Sequence, residues 1–197
     1  EASHFSPGTA YVASNHYQMD DMRPYIYKTT DYGATWQLIT NGIPATEFVR
    51  VVREDPERAG LLYAGTERGV WVSFDNGASW QTLRRNLPIV PVHDLAIKEG
   101  DLIAATHGRS FWILDDITPL RQINPTAMEA AVHLFAPQVA YRVKRNVNTD
   151  TPLPPEEPAG QNPPDGAIIN YYFKDDPVLP VKLEIYDSKN QLVRRFS

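Results

Sequence analysis

The chain has 197 residues, of which 24 are acidic and 19 are lysine or arginine, so its net charge is −5. This balance, without a run of basic residues, excludes the electrostatic pattern of a nucleic-acid-binding domain. The absence of cysteine excludes disulfides and thiolate metal sites, and no apolar run is long enough for a transmembrane helix. A hydrophobic content of 42% together with 17 prolines favours a loop-rich β protein with a sizeable core.

Short β-like runs predict three successive units of antiparallel strands. Unit one has strands at 10–14, 25–29 and 36–40, unit two at 48–54, 61–66, 70–74 and 80–83, and unit three at 93–99, 101–106 and 110–116. Large aromatic side chains, Tyr27, Trp71 and Trp112, fall at equivalent positions of the three units. We therefore expect these three side chains to pack between neighbouring units.

One motif, [ST]-x-D-x-G-x-x-W, occurs at the same place in units one and two, 44 residues apart (73 − 29 = 44). Its residues are Thr29, Asp31, Gly33 and Trp36 in the first copy and Ser73, Asp75, Gly77 and Trp80 in the second. The pattern predicts a hairpin turn in which the aspartate accepts a backbone N–H about two residues on and the glycine supplies a positive φ. The hydroxyl residue adds a hydrogen bond, and the tryptophan ring packs between units.

The motif resembles the Asp-box, or bacterial neuraminidase repeat, found in β-propellers such as those of sialidases and sortilin-type receptors. The stretches RPYIYKTTDYGATW, GLLYAGTERGVWVSFDNGASW and DLIAATHGRSFWILDDITPLRQ resemble the C-terminal part of sortilin-like or glycosyl-hydrolase-like exported bacterial proteins. The resemblance implies an all-β fold, a partial β-propeller of about three four-stranded antiparallel blades.

The third unit keeps only Asp116 of the motif, 41 residues after Asp75 (116 − 75 = 41), which is typical of a terminal repeat. Three blades do not close a ring, because propellers usually have about four to eight. We therefore expect the remaining blades upstream or on partner chains. The chain starts at Glu1 and shows no signal peptide, so we interpret it as a piece of a longer protein, extracellular or periplasmic by resemblance.

Three regions are predicted along the chain: propeller blades over 1–142, a linker over 143–166, and the start of an immunoglobulin-like accessory domain over 167–197. The linker contains six prolines between Thr151 and Gly166, which favour an extended spacer. Asn124 and Pro125 predict the start of a short helix that runs through MEAAV. The last region predicts β-strands around a turn at Asp187–Asn190, the first strands of a β-sandwich.

The strand at 10–14 takes the place of a second blade strand. The loops between the second and third strands of a four-stranded blade are then 14–24, 67–69 and 107–109, and we expect them to line the ligand face of the propeller. Their reactive side chains are the candidate ligand-face residues: His16, Asp20, Asp21, Arg23, Glu67, Arg68, His107 and Arg109. Arginine forks suit carboxylates or phosphates, and paired carboxylates suit glycoside hydrolysis. The alternative is that the arginines only tie the loops to neighbouring carboxylates or carbonyls.

The function that we favour from the sequence is a non-catalytic propeller segment that binds a protein or peptide or serves as a scaffold. One alternative is part of a glycoside hydrolase, sialidase-like or glucanase-like, whose catalytic set lies on other blades and whose ligand is a carbohydrate. Another is a subunit of a larger assembly. The sequence assigns no catalytic residue and no cofactor. Three histidines, His4, His93 and His133, are isolated and lack metal-ligand spacing, so no metal site is expected.

Overall fold

The computed structural model describes residues 1–142, 156 and 160–197. It shows an all-β chain in which three antiparallel sheets follow one another, and two short helices and two two-stranded sheets come after them. This arrangement confirms the predicted all-β class and is consistent with part of a propeller. In the described part of the chain the α-helices have five residues each, and none has the length and apolarity needed to cross a membrane.

The three sheets contain the strands that the sequence predicts, with most of them shorter or shifted by a residue or two. Sheet one consists of β1 (Ala10–His16), β2 (Asp21–Thr29) and β3 (Gln37–Leu38). Sheet two consists of β4 (Val49–Glu54), β5 (Leu62–Thr66), β6 (Val70–Ser73) and β7 (Gln81–Thr82). Sheet three consists of β8 (Val92–Lys98), β9 (Asp101–Thr106) and β10 (Phe111–Leu114). Each strand pairs with its neighbours in chain order.

The segment after sheet three contains α1 (Thr118–Gln122) and α2 (Pro125–Glu129). The predicted helix start is confirmed, because the Asn124 side chain accepts the backbone N–H of Ala127 at 2.9 Å. The predicted extent is wrong: α2 ends at Glu129, and β11 (Val132–Leu134) begins where the helix was expected to continue.

The remaining strands are β12 (Tyr171–Phe173), β13 (Leu183–Tyr186) and β14 (Leu192–Phe196). β11 pairs with β12, so these two strands join residues from the two sides of the predicted linker. Residues 143–155 and 157–159 of that linker lie outside the described residues. β13 and β14 form a hairpin whose turn is the predicted one, with the Asn190 N–H bonded to the Asp187 carbonyl at 3.0 Å.

Two hydrophobic clusters hold the three sheets together. The one–two cluster lies between sheets one and two and contains the buried side chains of Tyr11, Ile26, Ile39, Ile43, Val49, Val52, Leu62, Ala64 and Trp80. The two–three cluster lies between sheets two and three and contains Val51, Leu61, Tyr63, Val70, Val72, Leu87, Val90, Val92, Leu95, Leu102, Ala104 and Ile117. Alternate residues of sheet two therefore face opposite neighbours, as the two-residue period of a strand requires.

The two copies of the motif form turns with the same internal hydrogen bonds, which we call the first motif turn (29–36) and the second motif turn (73–80). In the first, the Thr29 hydroxyl donates to Asp31 at 2.8 Å and accepts the Gly33 N–H at 2.9 Å. Asp31 accepts the N–H of Thr35 at 2.9 Å, four residues on rather than the predicted two. The predicted reach was too short because two residues with positive φ, Tyr32 and Gly33, curl the chain back over the carboxylate.

The second motif turn repeats this pattern and is also locked onto sheet one. Its Trp80 backbone N–H donates to the Asn41 carbonyl at 2.8 Å, and its Trp80 indole N–H donates to the Ile39 carbonyl at 2.7 Å. The fit requires glycine twice: a Cβ on Gly42 would collide with the Trp80 carbonyl, and one on Gly77 would collide with the Ile39 side chain. The sequence prediction that this tryptophan packs between units is confirmed.

A buried ion pair, the Asp55–Arg121 clamp, ties the segment after sheet three to the turn between β4 and β5. Arg121 donates through Nε to both Asp55 carboxylate oxygens at 3.0 Å, and its Nη1 lies 2.8 Å from Glu57. The Asp55 carboxylate is fully buried and also accepts the backbone N–H groups of Glu57 and Arg58. Burial of a charge is tolerated only when it is paired and hydrogen-bonded, and this one is both.

Candidate functional site

Six residues from all three sheets meet at the end of the stack where the β1–β2, β5–β6 and β9–β10 loops lie. We call them the mouth cluster: Tyr17, Phe48, Arg50, Glu67, His93 and His107. Arg50 and His93 are at equivalent places in sheets two and three, each within a β-bulge near the start of the first strand. A bulge redirects a side chain out of the regular alternation, and here it turns both residues toward the loops.

The same backbone hydrogen bond recurs in the two sheets and positions the partners of these bulge residues. The Glu67 N–H donates to the Phe48 carbonyl at 3.2 Å, and the His107 N–H donates to the Pro91 carbonyl at 2.9 Å. Each bond places the first residue after the second strand beside the bulge of the first strand. Sheet two therefore presents an arginine and a glutamate, and sheet three presents two histidines.

Arg50 is the centre of the cluster. Its guanidinium donates to Glu67 through Nη2 at 2.7 Å and through Nε at 3.0 Å. The same group lies 4.9 Å from the centre of the Phe48 ring and 5.6 Å from that of Tyr17. The two rings stack nearly parallel, 4.9 Å apart. A guanidinium over aromatic faces is held by cation–π attraction, so this part of the mouth is pre-organised.

The rings of His93 and His107 pack edge to face with centres 4.9 Å apart. Partial desolvation, followed by the charges of Arg50 and His107, lowers the pKa of His93. His93 is therefore neutral at physiological pH and offers one hydrogen-bond donor and one acceptor. The prediction that His93 is isolated is wrong, because the β8–β9 pairing brings His107 next to it.

The candidate ligand-face residues do not form one set. His16 packs against the Tyr25 ring, with ring centres 5.0 Å apart, and its Nε2 lies 3.4 Å from the Ser14 hydroxyl. Asp20 lies at the end of a short 3-10 turn, Tyr17–Met19, with a positive φ of 61°. Arg68 and Arg109 are exposed on the β5–β6 and β9–β10 loops. Only Glu67 and His107 belong to the mouth cluster.

The predicted loop 14–24 is much shorter in the structure, because β1 continues to His16 and β2 starts at Asp21. Asp21 and Arg23 therefore sit on a strand, where Arg23 donates to Asp21 from both Nε and Nη2, at 2.9 and 2.8 Å. These bonds hold the pKa of Asp21 well below its usual range. The polar composition of residues 14–24 predicted a loop, whereas in the structure the pairing of β1 with β2 continues as far as His16 and Asp21.

A groove of about 320 Å³ lies beside the mouth, between the free edge of β1 and the first strands of sheets two and three. The carboxylates at this groove are both held by Arg53, with Asp94 at 2.6 Å and Glu1 at 3.5 Å. Arg53 also donates to the Leu95 carbonyl at 2.9 Å, so it joins sheet two to sheet three. In the described residues no group of three or more metal-ligating side chains is present.

Four of the six mouth residues, Tyr17, Phe48, Arg50 and His93, were not among the candidates predicted from the sequence. A single sequence does not show where a β-bulge falls, and Arg50 reads as a solvent-facing residue of an alternating strand. The repeat contains one usable signal: aligning FVRVV with PVHDL places Arg50 and His93 at the same position of units two and three.

Comparisons with known proteins give little beyond this geometry. No family model matches the chain, and no curated protein matches it. A crystal structure of an ancestral GH74 enzyme is similar over 55% of this chain and 13% of that protein, with 24% sequence identity and a TM-score of 0.45. The chain thus spans a small part of that enzyme's length.

Proposed function

We propose that the chain is a non-catalytic segment of a β-propeller that binds a protein or peptide through the mouth cluster and the arginines beside it. In this proposal the motif turns are Asp-boxes, the protein is sortilin-like and exported, and the strands after the linker begin an immunoglobulin-like accessory domain. The ligand is a segment that carries exposed carboxylates.

The observation that carries the proposal is how charge is distributed at the mouth. The carboxylates of Asp21 and Glu67 are each held by an arginine, Arg23 or Arg50. Arg68 and Arg109 follow Glu67 and His107 directly on their loops and have no ion-pair partner among the residues that the structure describes. Their guanidinium groups are therefore available for a carboxylate from another molecule.

The same distribution argues against the hydrolase alternative. A glycosidase needs a carboxylic acid that is protonated at working pH, which requires a raised pKa. The pKa of Asp21 is shifted in the opposite direction, and Glu67 is held by two bonds from Arg50. These side chains suit a fixed binding surface better than proton transfer.

The test uses fluorescently labelled peptides that are rich in Asp and Glu, with sequence-matched peptides that carry Asn and Gln instead. We expect the acidic peptides to bind the chain by fluorescence anisotropy, with weaker binding as salt increases. The Arg68→Ala and Arg109→Ala double substitution should weaken this binding at least tenfold, because two charge-assisted contacts are lost. The control is the Asp21→Asn and Arg23→Gln double substitution, because it removes an existing ion pair without changing the net charge.

Equal binding of acidic and neutral peptides, or no loss in the double variant, would refute the proposed contact. Release of reducing ends from an oligosaccharide by the chain would refute the non-catalytic assignment and favour the glycoside hydrolase.

A further inference from the structure

The face of sheet one that points away from sheet two carries a row of large apolar side chains. The repeated sequence pattern predicts that a neighbouring unit covers such a row. Val12, Tyr27 and Leu38 lie directly opposite one another on β1, β2 and β3, so they share one face of the sheet. Trp36 of the first motif turn adjoins this row around a hollow of about 390 Å³. Val12, Trp36 and Leu38 are 44%, 45% and 50% exposed.

In the next sheet the first two residues of the equivalent row are covered, and the third, Thr82 in the place of Leu38, is exposed. Ala64 and Trp71, the counterparts of Val12 and Tyr27, face the one–two cluster and pack against sheet one. In sheet three the corresponding pair, Ala104 and Trp112, packs against the two–three cluster. Each row thus faces the preceding sheet, and the row of sheet one is the one that lacks such a neighbour among the described residues.

The two motif tryptophans show what the missing neighbour must offer. Trp80 is 5% exposed and donates its indole N–H to the Ile39 carbonyl, just after β3 of sheet one. Trp36 has the same place in the first motif turn, but its indole N–H donates to the Gly33 carbonyl of its own turn. The cover for Trp36 is therefore a segment that follows the last strand of a neighbouring sheet, as Ile39 follows β3, and that approaches as closely as Asn41 and Gly42 approach Trp80.

A second feature of sheet one is independent of this row. β1 is the counterpart of β5 and β9, the second strands of sheets two and three. Those two strands pair along their whole length with a first strand, whereas β1 has only a short partner on that side. Ala2 bridges Ala10, and Glu1 bonds with Tyr11 in both directions, at 2.8 and 3.0 Å. Beyond Tyr11 the edge of β1 has no strand partner among the described residues, and it forms one wall of the groove described above.

We propose that the residues immediately upstream of Glu1 in the natural polypeptide form both missing parts. They complete a first strand along the open edge of β1, and before that strand they form a four-stranded antiparallel sheet that covers Val12, Tyr27 and Trp36. The direction of the chain supports this source, because Glu1–Ser3 already run antiparallel to β1 and their backward continuation follows its open edge.

A second copy of the chain fits this surface less well. The face it would offer is that of sheet three, where Phe111 and Ile113 are 72% and 56% exposed. In the part of the chain that the structure describes, sheet three has three strands and then continues into α1. It therefore lacks a counterpart of β3 and of the segment after β3, in which the Ile39 carbonyl accepts the indole N–H of Trp80.

The experiment is hydroxyl-radical footprinting with mass spectrometry on the protein isolated from its natural source and on the 197-residue chain. In the short chain we expect Trp36 to be oxidised readily and Trp80 to be protected. In the natural protein the oxidation rate of Trp36 should fall about tenfold, to that of Trp80. Tyr32, which is 82% exposed at the tip of the same turn, is the control that stays reactive in both.

Three outcomes would overturn the proposal. The first is Trp36 that stays as reactive in the natural protein as in the 197-residue chain. The second is protection of Trp36 only in a dimer fraction of the short chain, which would assign the face to a second copy. The third is a natural protein whose intact mass is 22.2 kDa, since no upstream residues would then exist.

Discussion

The two motif turns have the same hydrogen bonds but different surroundings. Both close through the hydroxyl of the first residue, with the following glycine N–H at 2.9 Å in the first turn and 2.8 Å in the second. The second turn is packed against sheet one and its tryptophan is buried, whereas Trp36 of the first turn is half exposed. The local sequence thus determines the shape of the turn, and the neighbouring sheet determines how much the turn contributes to stability.

The largest difference is expected between the two tryptophans. Trp80→Ala removes a buried ring from the one–two cluster and should lower the free energy of unfolding by about 3–5 kcal/mol. Trp36→Ala in the same 197-residue chain should cost less than about 1 kcal/mol, because the ring is half exposed. Urea denaturation followed by circular dichroism measures both free energies of unfolding. Equal losses would contradict the larger contribution of Trp80 to stability.

The glycines of the two turns should differ next. Gly77→Ala combines a positive φ of 87° with a collision against the Ile39 side chain, and we expect a loss of about 3 kcal/mol. Gly33→Ala has a similar φ of 88°, but its new Cβ would meet only the Trp36 ring at ordinary contact distance. Its loss should be about 1–2 kcal/mol, from the backbone alone. Thermal unfolding of the two variants side by side tests this order.

A smaller contrast involves two tyrosines. The buried Tyr11 hydroxyl of sheet one donates to Asn76 of the second motif turn at 2.8 Å and lies 3.3 Å from Glu54. Tyr11→Phe should cost about 1–2 kcal/mol, because the hydrogen bond that the buried hydroxyl donates to Asn76 is lost. Tyr32→Phe at the exposed tip of the first turn should change stability by less than about 0.5 kcal/mol. A Tyr11→Phe variant as stable as the parent would contradict the tie between sheet one and the second turn.

The smallest effect is electrostatic and belongs to the first motif turn. The hydrogen bonds from the Thr35 hydroxyl and backbone, followed by that from Thr29, lower the pKa of Asp31 to about 2. A depressed pKa in the folded state means that the ionised form stabilises the fold above the unfolded pKa of about 4, and this contribution is lost as the pH falls toward 2. Thr35→Val removes the hydroxyl donor and should raise the Asp31 pKa measured by carbon-detected NMR titration. An unchanged value would exclude the hydroxyl as the main cause.

The sequence predicts the parts of the fold that depend on local chemistry. The strands follow from alternation and turn residues, and the motif predicts turns with positive φ at Gly33 and Gly77, as the structure shows. The arrangement of the mouth depends on contacts between distant residues and was largely missed. Arg50 contacts Tyr17 only because sheets one and two pack against each other. No local sequence pattern indicates that these two residues are close in space.

The buried acids illustrate the same limit. Residues 51–60, VVREDPERAG, have the composition of a solvent-exposed charged turn, yet the Glu54 and Asp55 side chains are buried. The arginine that compensates Asp55 is 66 residues further along, on α1. A sequence reading assigns charged residues to solvent unless a partner is visible nearby, so it could not identify this pair.

That same Asp55–Arg121 clamp bears on the cooperativity of unfolding. Sheet three is connected to sheet two at both of its ends. The β7–β8 link precedes it, and α1 follows it and is bound to the β4–β5 turn through Arg121. To open by local fluctuation, sheet three would have to expose the Asp55 carboxylate or leave it without its partner, which is costly for a fully buried charge. The amide protons of β8–β10 should therefore exchange with solvent at the same rate as those of sheet two, so that the two sheets behave as one cooperative unit.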